Sequence, residues 1–213
     1  MEIQVWSDFA CPWCVLGLSR LRAACRQFEH GDDVSVVHRS FELHPRAPAR
    51  VGRTMEEAVA AKYGIGPALA RAGHERLRAL GREVGIDFAF DRVQLGSTFN
   101  AHRLAQAARG RPEEEALVDG LFAAHFTEGR LLSDHEVLLD VATSAGLDPR
   151  RVREVLSSGA YAEAVRADEA VAEEMEVTGV PFFLIDGAWP VPGAQDVETM
   201  LVLLRRAWAR SVG

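Results

Sequence analysis

Two cysteines near the N-terminus have the spacing of a redox-active pair. Cys11 and Cys14 are separated by Pro12 and Trp13, and a proline at this place is typical of the first turn of a helix. Backbone N–H groups at a helix start have no helical partner, and together with the helix dipole they favour a thiolate over a thiol. The thiolate is the attacking species in disulfide exchange. The pattern therefore predicts that Cys11 is the nucleophile and that Cys14, one turn further, is the resolving thiol.

The two residues between the cysteines are predicted to tune this chemistry. Pro12 stiffens the loop, and Trp13, unlike a histidine, cannot carry a positive charge that would stabilise a thiolate. We therefore expect a less oxidising couple than a Pro-His version would give. Asp8, three residues before Cys11, either affects the proton affinity of the thiol or caps the loop.

Two structural interpretations of the cysteines compete with the redox one. A closed zinc site usually needs four ligands, whereas the chain has three cysteines and its seven histidines show no ligand spacing, so no metal is predicted. The other interpretation is an inert pair of core cysteines. Cys25 lies about 16 Å beyond Cys14 on the same predicted helix, too far for a disulfide, and is predicted to be a core residue.

Alternating and helical patterns predict the elements that position the pair. Residues 2–6 alternate polar and apolar side chains, and residues 34–38 are rich in β-branched ones, so both are predicted strands. Between them, an apolar stripe at spacings of four and three predicts a helix over residues 12–28. This βαβ unit places Cys11 where the first strand ends and the helix begins.

The middle of the chain, from about Met55 to Val177, is predicted to be helical. The signals are prolines and acidic residues at helix starts, a capping box and a glycine cap. They predict helices over Pro67–Val84 and Asn100–Gly110, helix starts at Pro112, at Ser133 with Glu136 and at Asp148 with Pro149, and a last helix from Tyr161 to a cap near Gly179.

The C-terminal part of the chain returns to strands. Asp186-Gly187 is a strong hairpin signal between predicted strands over 182–185 and 188–191, and a helix is predicted over 197–209. The predicted fold class is α/β, with one sheet domain made from both ends of the chain, residues 1–50 and 178–213. An all-helical domain, residues 51–177, is predicted to be inserted between them.

Composition argues against several classes of partner. The net charge of −7, without a basic stripe, argues against nucleic acid, and no run approaches the roughly 18 apolar residues of a membrane span. The N-terminus lacks the basic leader and apolar core of a signal peptide. The expected location is the cytoplasm, where C-x-x-C pairs tend to be catalytic or metal-binding.

The sequence resembles the DsbA family of the thioredoxin superfamily, and within it the cytoplasmic FrnE-like subgroup. The motifs that carry the resemblance extend over nearly the whole chain: Ser7–Cys14, Phe41–Pro45, Thr98–Leu104, Thr178–Phe183 and Pro192–Gln195. The resemblance implies a thioredoxin fold (βαβ…ββα) with an inserted all-helical domain. It also implies a thiol–disulfide oxidoreductase that oxidises, reduces or isomerises substrate disulfides.

The resemblance adds site residues that spacing alone does not predict. It implies a cis bond between Val180 and Pro181 that faces the dithiol, with the backbone of Val180 free to pair with an extended substrate. It also implies His102 as a substrate contact. Without the resemblance, Pro181 is interpreted as a strand-start proline and His102 as a buried histidine whose hydrogen bonds are satisfied.

The expected substrates are proteins or small molecules that contain thiols or disulfides. No cofactor is predicted, although glutathione is a candidate reductant, and neither the direction of electron flow nor the oligomeric state is predicted. Two other functions stay open. Kappa-class glutathione transferases and hydroxychromene-carboxylate isomerases resemble this architecture but typically have serine at the position of Cys11. A non-catalytic peptide-binding module would tolerate the loss of both Cys11 and Cys14.

Overall fold

A computed structural model describes residues 1–211 of the chain. These residues form four strands and nine α-helices, which we number in chain order: β1 (Glu2–Ser7), α1 (Pro12–Gln27), β2 (Ser35–Ser40), α2 (Met55–Tyr63), α3 (Pro67–Glu83), α4 (Phe99–Ala108), α5 (Glu114–Phe126), α6 (His135–Ser144), α7 (Pro149–Ser157), α8 (Ala162–Glu174), β3 (Phe182–Ile185), β4 (Trp189–Pro192) and α9 (Val197–Ser211). The predicted order of βαβ, a helical segment and ββα is confirmed.

The chain divides into two compact units. The first contains Met1–Leu43 and the chain from Ala164 onward, and the second is His44–Glu163. The sequence prediction placed the return to the first unit at residue 178, whereas most of α8 already belongs to that unit in the structure. The last two residues of the predicted sheet domain, 212 and 213, lie outside the described residues.

The first unit contains one mixed sheet with the strand order β2-β1-β3-β4. β1 and β2 are parallel, and a parallel pair needs a crossover connection, which α1 provides. β3 is antiparallel to β1 and to β4, with Val5 opposite Phe183 in the central pair. β4 carries Pro190 and Pro192 and lies at the edge of the sheet, where the missing N–H groups of proline are tolerated.

The side chains of β1 and β3 alternate between two helices. The ring of Phe183 approaches Gly17 of α1, whereas Trp6 and Phe182 form a core cluster with Ala172 of α8. Because successive side chains of a strand point to opposite faces, α1 and α8 cover opposite faces of this sheet. The end of β1, from which the chain continues to Cys11, is therefore held on both sides.

The second unit is built around aromatic rings and one buried cation. Its rings pack in stacked and edge-on pairs: Phe88, Phe90, Phe122 and Phe126. The guanidinium of Arg103 in α4 is buried and donates hydrogen bonds to the carbonyl oxygens of Val155, Ser158 and Ala160 and to Oδ1 of Asn100. Arg103 thus binds carbonyl groups in the last turn of α7 and in the segment that follows it, where the regular hydrogen bonds of the helix stop.

Three predicted helix ends in the middle of the chain are wrong. α5 begins at Glu114 rather than Pro112, since residues 111–113 form a turn. The N-cap of α6 is Asp134, whose carboxylate accepts the N–H of Glu136, and not Ser133, whose hydroxyl donates to the carbonyl of Ala49.

The third wrong end belongs to α8. This helix ends at Glu174, so Gly179 is not its C-terminal cap. The residue with a positive φ after the helix is Glu176, at 56°, a conformation that does not favour a residue with a side chain. By contrast, the Asp186-Gly187 hairpin is confirmed, with φ values of 46° and 66° at its two turn residues.

Candidate active site

Cys11 lies where β1 is connected to α1. It is the N-cap residue of the helix, with extended backbone angles (φ −103°, ψ 111°), and Pro12 begins the helix as predicted. The backbone N–H of Cys14 donates to the carbonyl oxygen of Cys11 at 3.0 Å. The Cys11 side chain makes no capping hydrogen bond to the helix. Its sulfur therefore lies at the end of the helix where backbone N–H donors are concentrated.

The pKa of the Cys11 thiol is below its ordinary value. The largest cause is the hydrogen bond from the Cys14 thiol, and the backbone N–H groups of Cys14 and Trp13 act in the same direction. Removal from water and the charge of Asp8 oppose this shift. Cys11 is itself buried, with 6% of its surface exposed, so a lowered pKa is combined with limited exposure of the residue.

Cys14 has the opposite character. It is completely buried, and this burial, followed by its hydrogen bond to Cys11, raises the pKa of its thiol well above the ordinary value. Both cysteines are free thiols. One turn of helix therefore carries two unlike sulfurs, one with a lowered pKa and one that is completely buried with a raised pKa.

Cys25 is separate from this pair. It is a free thiol near the end of α1, and burial raises its pKa. The prediction that Cys25 is a core residue is only partly right, since it is half-buried and the fully buried position is that of the neighbouring Ala24.

Val180 lies opposite Cys11. The Sγ atom of Cys11 is 3.4 Å from the carbonyl oxygen of Val180, and the thiol donates to it. The Val180–Pro181 peptide bond is cis, and the carbonyl of Pro181 accepts the N–H of Gly193 at 2.8 Å. Val180 is half-buried and Pro181 is buried. The structure thus brings together the two parts of the site that the resemblance implied.

Gly17 is a site residue that sequence reasoning missed. A Cβ atom at this position would lie 2.9 Å from Cγ of Pro181 and 3.3 Å from side-chain atoms of Phe183 and Ala194. α1 can therefore approach the Val180–Pro181 loop this closely only because residue 17 has no side chain. The signal was available, because a glycine inside a helix costs about 1 kcal/mol relative to alanine and usually has a packing reason.

Asp8 is a buried carboxylate beside the dithiol, with 1% of its surface exposed. Its Oδ1 accepts the N–H of Ala10 at 3.1 Å, and its Oδ2 accepts the N–H of Leu43 at 2.7 Å. Its backbone carbonyl accepts the N–H of Cys11 at 3.0 Å. Asp8 therefore connects the turn before Cys11 to the segment that follows β2.

Trp13 and His102 differ in how much of their surface is exposed to solvent and so accessible to another molecule. Trp13 is 39% exposed and presents an aromatic ring two residues after Cys11. His102 lies in α4 of the second unit and is only 2% exposed. A side chain buried to this degree has little surface for a substrate, and the contact implied for His102 stays a prediction.

The described residues contain neither a cluster of metal-ligating side chains nor a membrane-spanning helix. Among residues 1–211, no group of three or more His, Cys, Asp or Glu side chains is arranged to hold a metal ion. In the same range, none of the helices combines the length and the apolar character that crossing a bilayer requires.

A family model described as a DSBA-like thioredoxin domain matches residues 2–205. The chain belongs to this family. The DSBA-like family contains oxidoreductases of the thioredoxin fold, so the predicted fold class and the resemblance to the DsbA family are confirmed. Membership of the FrnE-like subgroup stays a prediction.

Solved structures of similar proteins agree with this assignment to the DSBA-like family. A probable DsbA oxidoreductase from Streptomyces coelicolor is 41% identical, with a TM-score of 0.94 over 98% of this chain and 90% of that chain. A 2-hydroxychromene-2-carboxylate isomerase is 18% identical, with a TM-score of 0.72 over 100% and 96%. The cytosolic disulfide reductase DsbM from Pseudomonas aeruginosa is 19% identical, with a TM-score of 0.66 over 98% and 99%. At these identities the last two structures show the fold alone.

Proposed function

We propose that this protein is a thiol–disulfide oxidoreductase in which Cys11 attacks and Cys14 resolves. The observation that carries the proposal is the contrast between the two sulfurs. Cys11 is the more exposed one and has a lowered pKa, while Cys14 is completely buried and has a raised pKa. Disulfide exchange needs a thiolate that can reach its substrate first and a second thiol that acts afterwards.

The proposed reaction is written here as reduction of a substrate disulfide. The Cys11 thiolate attacks one substrate sulfur and forms a mixed disulfide, and the other substrate sulfur leaves and takes up a proton. Cys14 then loses its proton and attacks Cys11, so that the Cys11–Cys14 disulfide forms and the second substrate thiol is released. Two electrons and two protons pass from the dithiol to the substrate. The reverse sequence oxidises a substrate dithiol.

Two molecules of glutathione are the proposed source of electrons for the next cycle. They would reduce the Cys11–Cys14 disulfide and leave as one glutathione disulfide. Support comes from DsbM, a cytosolic disulfide reductase of similar fold that has been solved with GSH. A cytoplasmic location for this chain is part of the same proposal, because reducing conditions there keep thiols free.

The proposed substrate contacts lie beside Cys11. The backbone of Val180, 3.4 Å from the Cys11 sulfur, is suited to pairing with an extended segment, as in strand addition. The exposed ring of Trp13 offers apolar surface next to the nucleophile. In this proposal Val180 and Pro181 bind the substrate, and Pro12 and Trp13 tune the chemistry of Cys11.

The experiment is a redox titration in glutathione buffers, read by alkylation and mass spectrometry. Wild type is compared with Cys11→Ser, and Cys25→Ser is the matched control, since it removes a thiol of the same helix outside the pair. We expect two thiols to disappear together and reversibly in wild type and in Cys25→Ser. In Cys11→Ser no Cys11–Cys14 couple should remain.

Absence of a reversible couple in wild type would contradict the proposal. Glutathione transfer would then be the function to test, because the isomerase fold is shared over the full length of the chain. A full peptide-binding activity in a double variant that lacks both Cys11 and Cys14 would instead support the non-catalytic binding module.

A further inference from the structure

Asp8 is a charged group that acts on both sulfurs of the dithiol. It stands three residues before Cys11, its side chain is almost fully enclosed by protein, and its charge affects both Cys11 and Cys14. The reaction scheme above does not use it. Its sequence position left two interpretations open, a cap of the loop and an influence on the thiols.

We propose that Asp8 is a positioning residue of the dithiol, whose carboxylate fixes the Cys11 loop and whose negative charge makes the Cys11–Cys14 couple more reducing. The proposal rests on the proposed function, since a couple must exist before its potential can be adjusted. It adds a direction to that function, because a more reducing couple gives electrons to substrate disulfides.

Asp8 fixes the Cys11 loop through hydrogen bonds of its backbone and of its side chain. The carbonyl of Asp8 accepts the N–H of Cys11, and its Oδ1 accepts the N–H of Ala10, so the residue closes a turn by both its backbone and its side chain. Its Oδ2 accepts the N–H of Leu43, which belongs to the neighbouring segment. The N–H of Phe41 donates to Ser7 in the same region. Asp8 is therefore bonded both to the turn that leads to Cys11 and to the segment that contains Leu43.

Backbone hydrogen bonds surround the carboxylate of Asp8. Both oxygens of Asp8 accept backbone N–H groups, and hydrogen bonds of this kind favour the ionised form of a carboxyl group. A buried negative charge is weakly screened by solvent, and it disfavours a second negative charge nearby. In agreement with this, the charge of Asp8 raises the pKa of Cys11 and of Cys14.

The stability of the Cys11 thiolate affects the redox equilibrium of the couple. A group that stabilises the thiolate stabilises the reduced protein and makes the couple a stronger oxidant. Asp8 does the opposite. The carbonyl of Val180 resembles Asp8 only in its effect on the proton, because it accepts a hydrogen bond from the Cys11 thiol that a thiolate cannot donate. Removing the charge of Asp8 should therefore shift the couple toward the reduced form.

The test compares Asp8→Asn with Asp8→Glu and with Asp168→Asn in the full chain. Asp8→Asn removes the charge at nearly constant size, and Asp8→Glu keeps the charge. Asp168 is a matched control, because it is also buried in the first unit and also accepts a backbone N–H, that of Ser40. Each variant is equilibrated with glutathione and its disulfide at pH 8, the Cys11–Cys14 fraction is read by mass, and thermal unfolding is recorded alongside.

We expect Asp8→Asn to shift the equilibrium constant with glutathione about three- to tenfold toward the reduced protein, where tenfold corresponds to about 30 mV. In Asp8→Glu and Asp168→Asn, the equilibrium constant with glutathione should stay within about twofold of the wild-type value. For scale, a shift of one pKa unit corresponds to about tenfold. The pH at which the rate of Cys11 alkylation reaches half its maximum should be lower in Asp8→Asn than in wild type, and it should be unchanged in Asp8→Glu and Asp168→Asn. Asp8→Ser, whose hydroxyl can also close the turn, is held to the same expectation if Asp8→Asn does not fold.

Three results would overturn the assignment. One is an unchanged equilibrium constant in the uncharged Asp8 variant that folds. Another is an equal shift in Asp8→Glu, and the third is an equal shift in Asp168→Asn, which would indicate a general loss of packing. Failure of the proposed function is distinguishable from all three, because wild type itself would then show no reversible couple.

Discussion

Helix α1 of the first unit and helix α2 of the second unit begin in different ways. At α2, the side chain of Thr54 accepts the N–H of Glu57 at 3.1 Å, and the carboxylate of Glu57 accepts the N–H of Thr54 at 2.8 Å. This reciprocal capping box satisfies donors that the helix leaves open. At α1 the N-cap is Cys11, and its side chain makes no capping hydrogen bond.

The difference shows what each helix start contributes. The donors at the start of α2 are used for stability, whereas donors at the start of α1, from Trp13 and Cys14, lower the pKa of the Cys11 sulfur. A cysteine is a poor cap, because its sulfur is a weak acceptor. The start of α1 therefore lacks a side-chain cap and instead holds the thiol that we propose as the nucleophile.

The largest effect expected from this contrast is that of Cys11→Ser. Disulfide exchange should fall by about a thousandfold or more, since serine cannot replace a thiolate in this reaction, while stability should be unchanged or rise by up to about 1 kcal/mol because serine is a good N-cap. Reduction of a disulfide peptide by glutathione and urea unfolding measure the two effects. Loss of stability together with activity would contradict the contrast, and Cys25→Ser is the control.

A large effect on stability alone is expected at Arg103 in the second unit. Arg103→Met should lower the free energy of unfolding by about 3 kcal/mol, because it removes charged hydrogen bonds to buried carbonyl groups. Urea unfolding checks the loss, and the exposed Arg153 of α7 provides the control Arg153→Met. The redox midpoint of the Cys11–Cys14 couple should be the same in Arg103→Met as in wild type. A stability like that of wild type would show that the bonds of Arg103 contribute little.

A comparison of two glycines inside helices tests how closely α1 must approach Pro181. Gly73→Ala in α3 meets no atom within 4 Å and should stabilise the protein by about 0.5–1 kcal/mol. Gly17→Ala should instead destabilise it by about 1–3 kcal/mol, since overpacking forces its neighbours apart.

Gly17→Ala should also alter the rate at which Cys11 is alkylated, because the Val180 carbonyl that contacts its sulfur is next to the displaced Pro181. Gly73→Ala should leave that rate at the wild-type value. If both alanines stabilise the protein equally, the close packing assigned to Gly17 is wrong.

The smallest effect is expected at the capping box of α2. Thr54→Ala should lower stability by about 1 kcal/mol and leave the redox midpoint of Cys11 and Cys14 unchanged. Glu57→Gln keeps an acceptor side chain at the third helical position and should lose less. Thermal unfolding of wild type and the two variants measures the stability, and a redox titration measures the Cys11–Cys14 couple. A changed redox midpoint in Thr54→Ala would contradict the separation of stability from redox chemistry.

Local features of the fold and the site could be predicted from the sequence. The start of α1, the hairpin at Asp186-Gly187 and the pairing of Cys11 with Cys14 depend on residues close to one another in the chain. Periodicity and turn chemistry carry this information directly. A lowered pKa of Cys11 is also expected from its place at the helix start, whereas the raised pKa of Cys14 comes mainly from burial, which the structure shows.

Contacts between distant segments could not be predicted in this way. The bond from Leu43 to Asp8 and the packing of Pro181 on Gly17 join segments that are far apart in sequence. The spacing of Ser133 and Glu136 predicts a capping box at the start of α6, and it cannot exclude Asp134 because serine and aspartate are nearly equal N-caps. Only the structure shows that Asp134 caps the helix while the Ser133 hydroxyl donates to Ala49.

The most direct test of the proposed roles, with Cys11 as the attacking thiol and Cys14 as the resolving thiol, is trapping with glutathione disulfide. Cys14→Ser and Cys11→Ser are each exposed to it, and the modified residue is located by peptide mass. The account predicts that Cys14→Ser accumulates a stable mixed disulfide on Cys11, since no resolving thiol remains, and that Cys14 in Cys11→Ser stays unmodified because it is completely buried. Equal modification of Cys14, or modification of Cys25 in preference to Cys11, would contradict it.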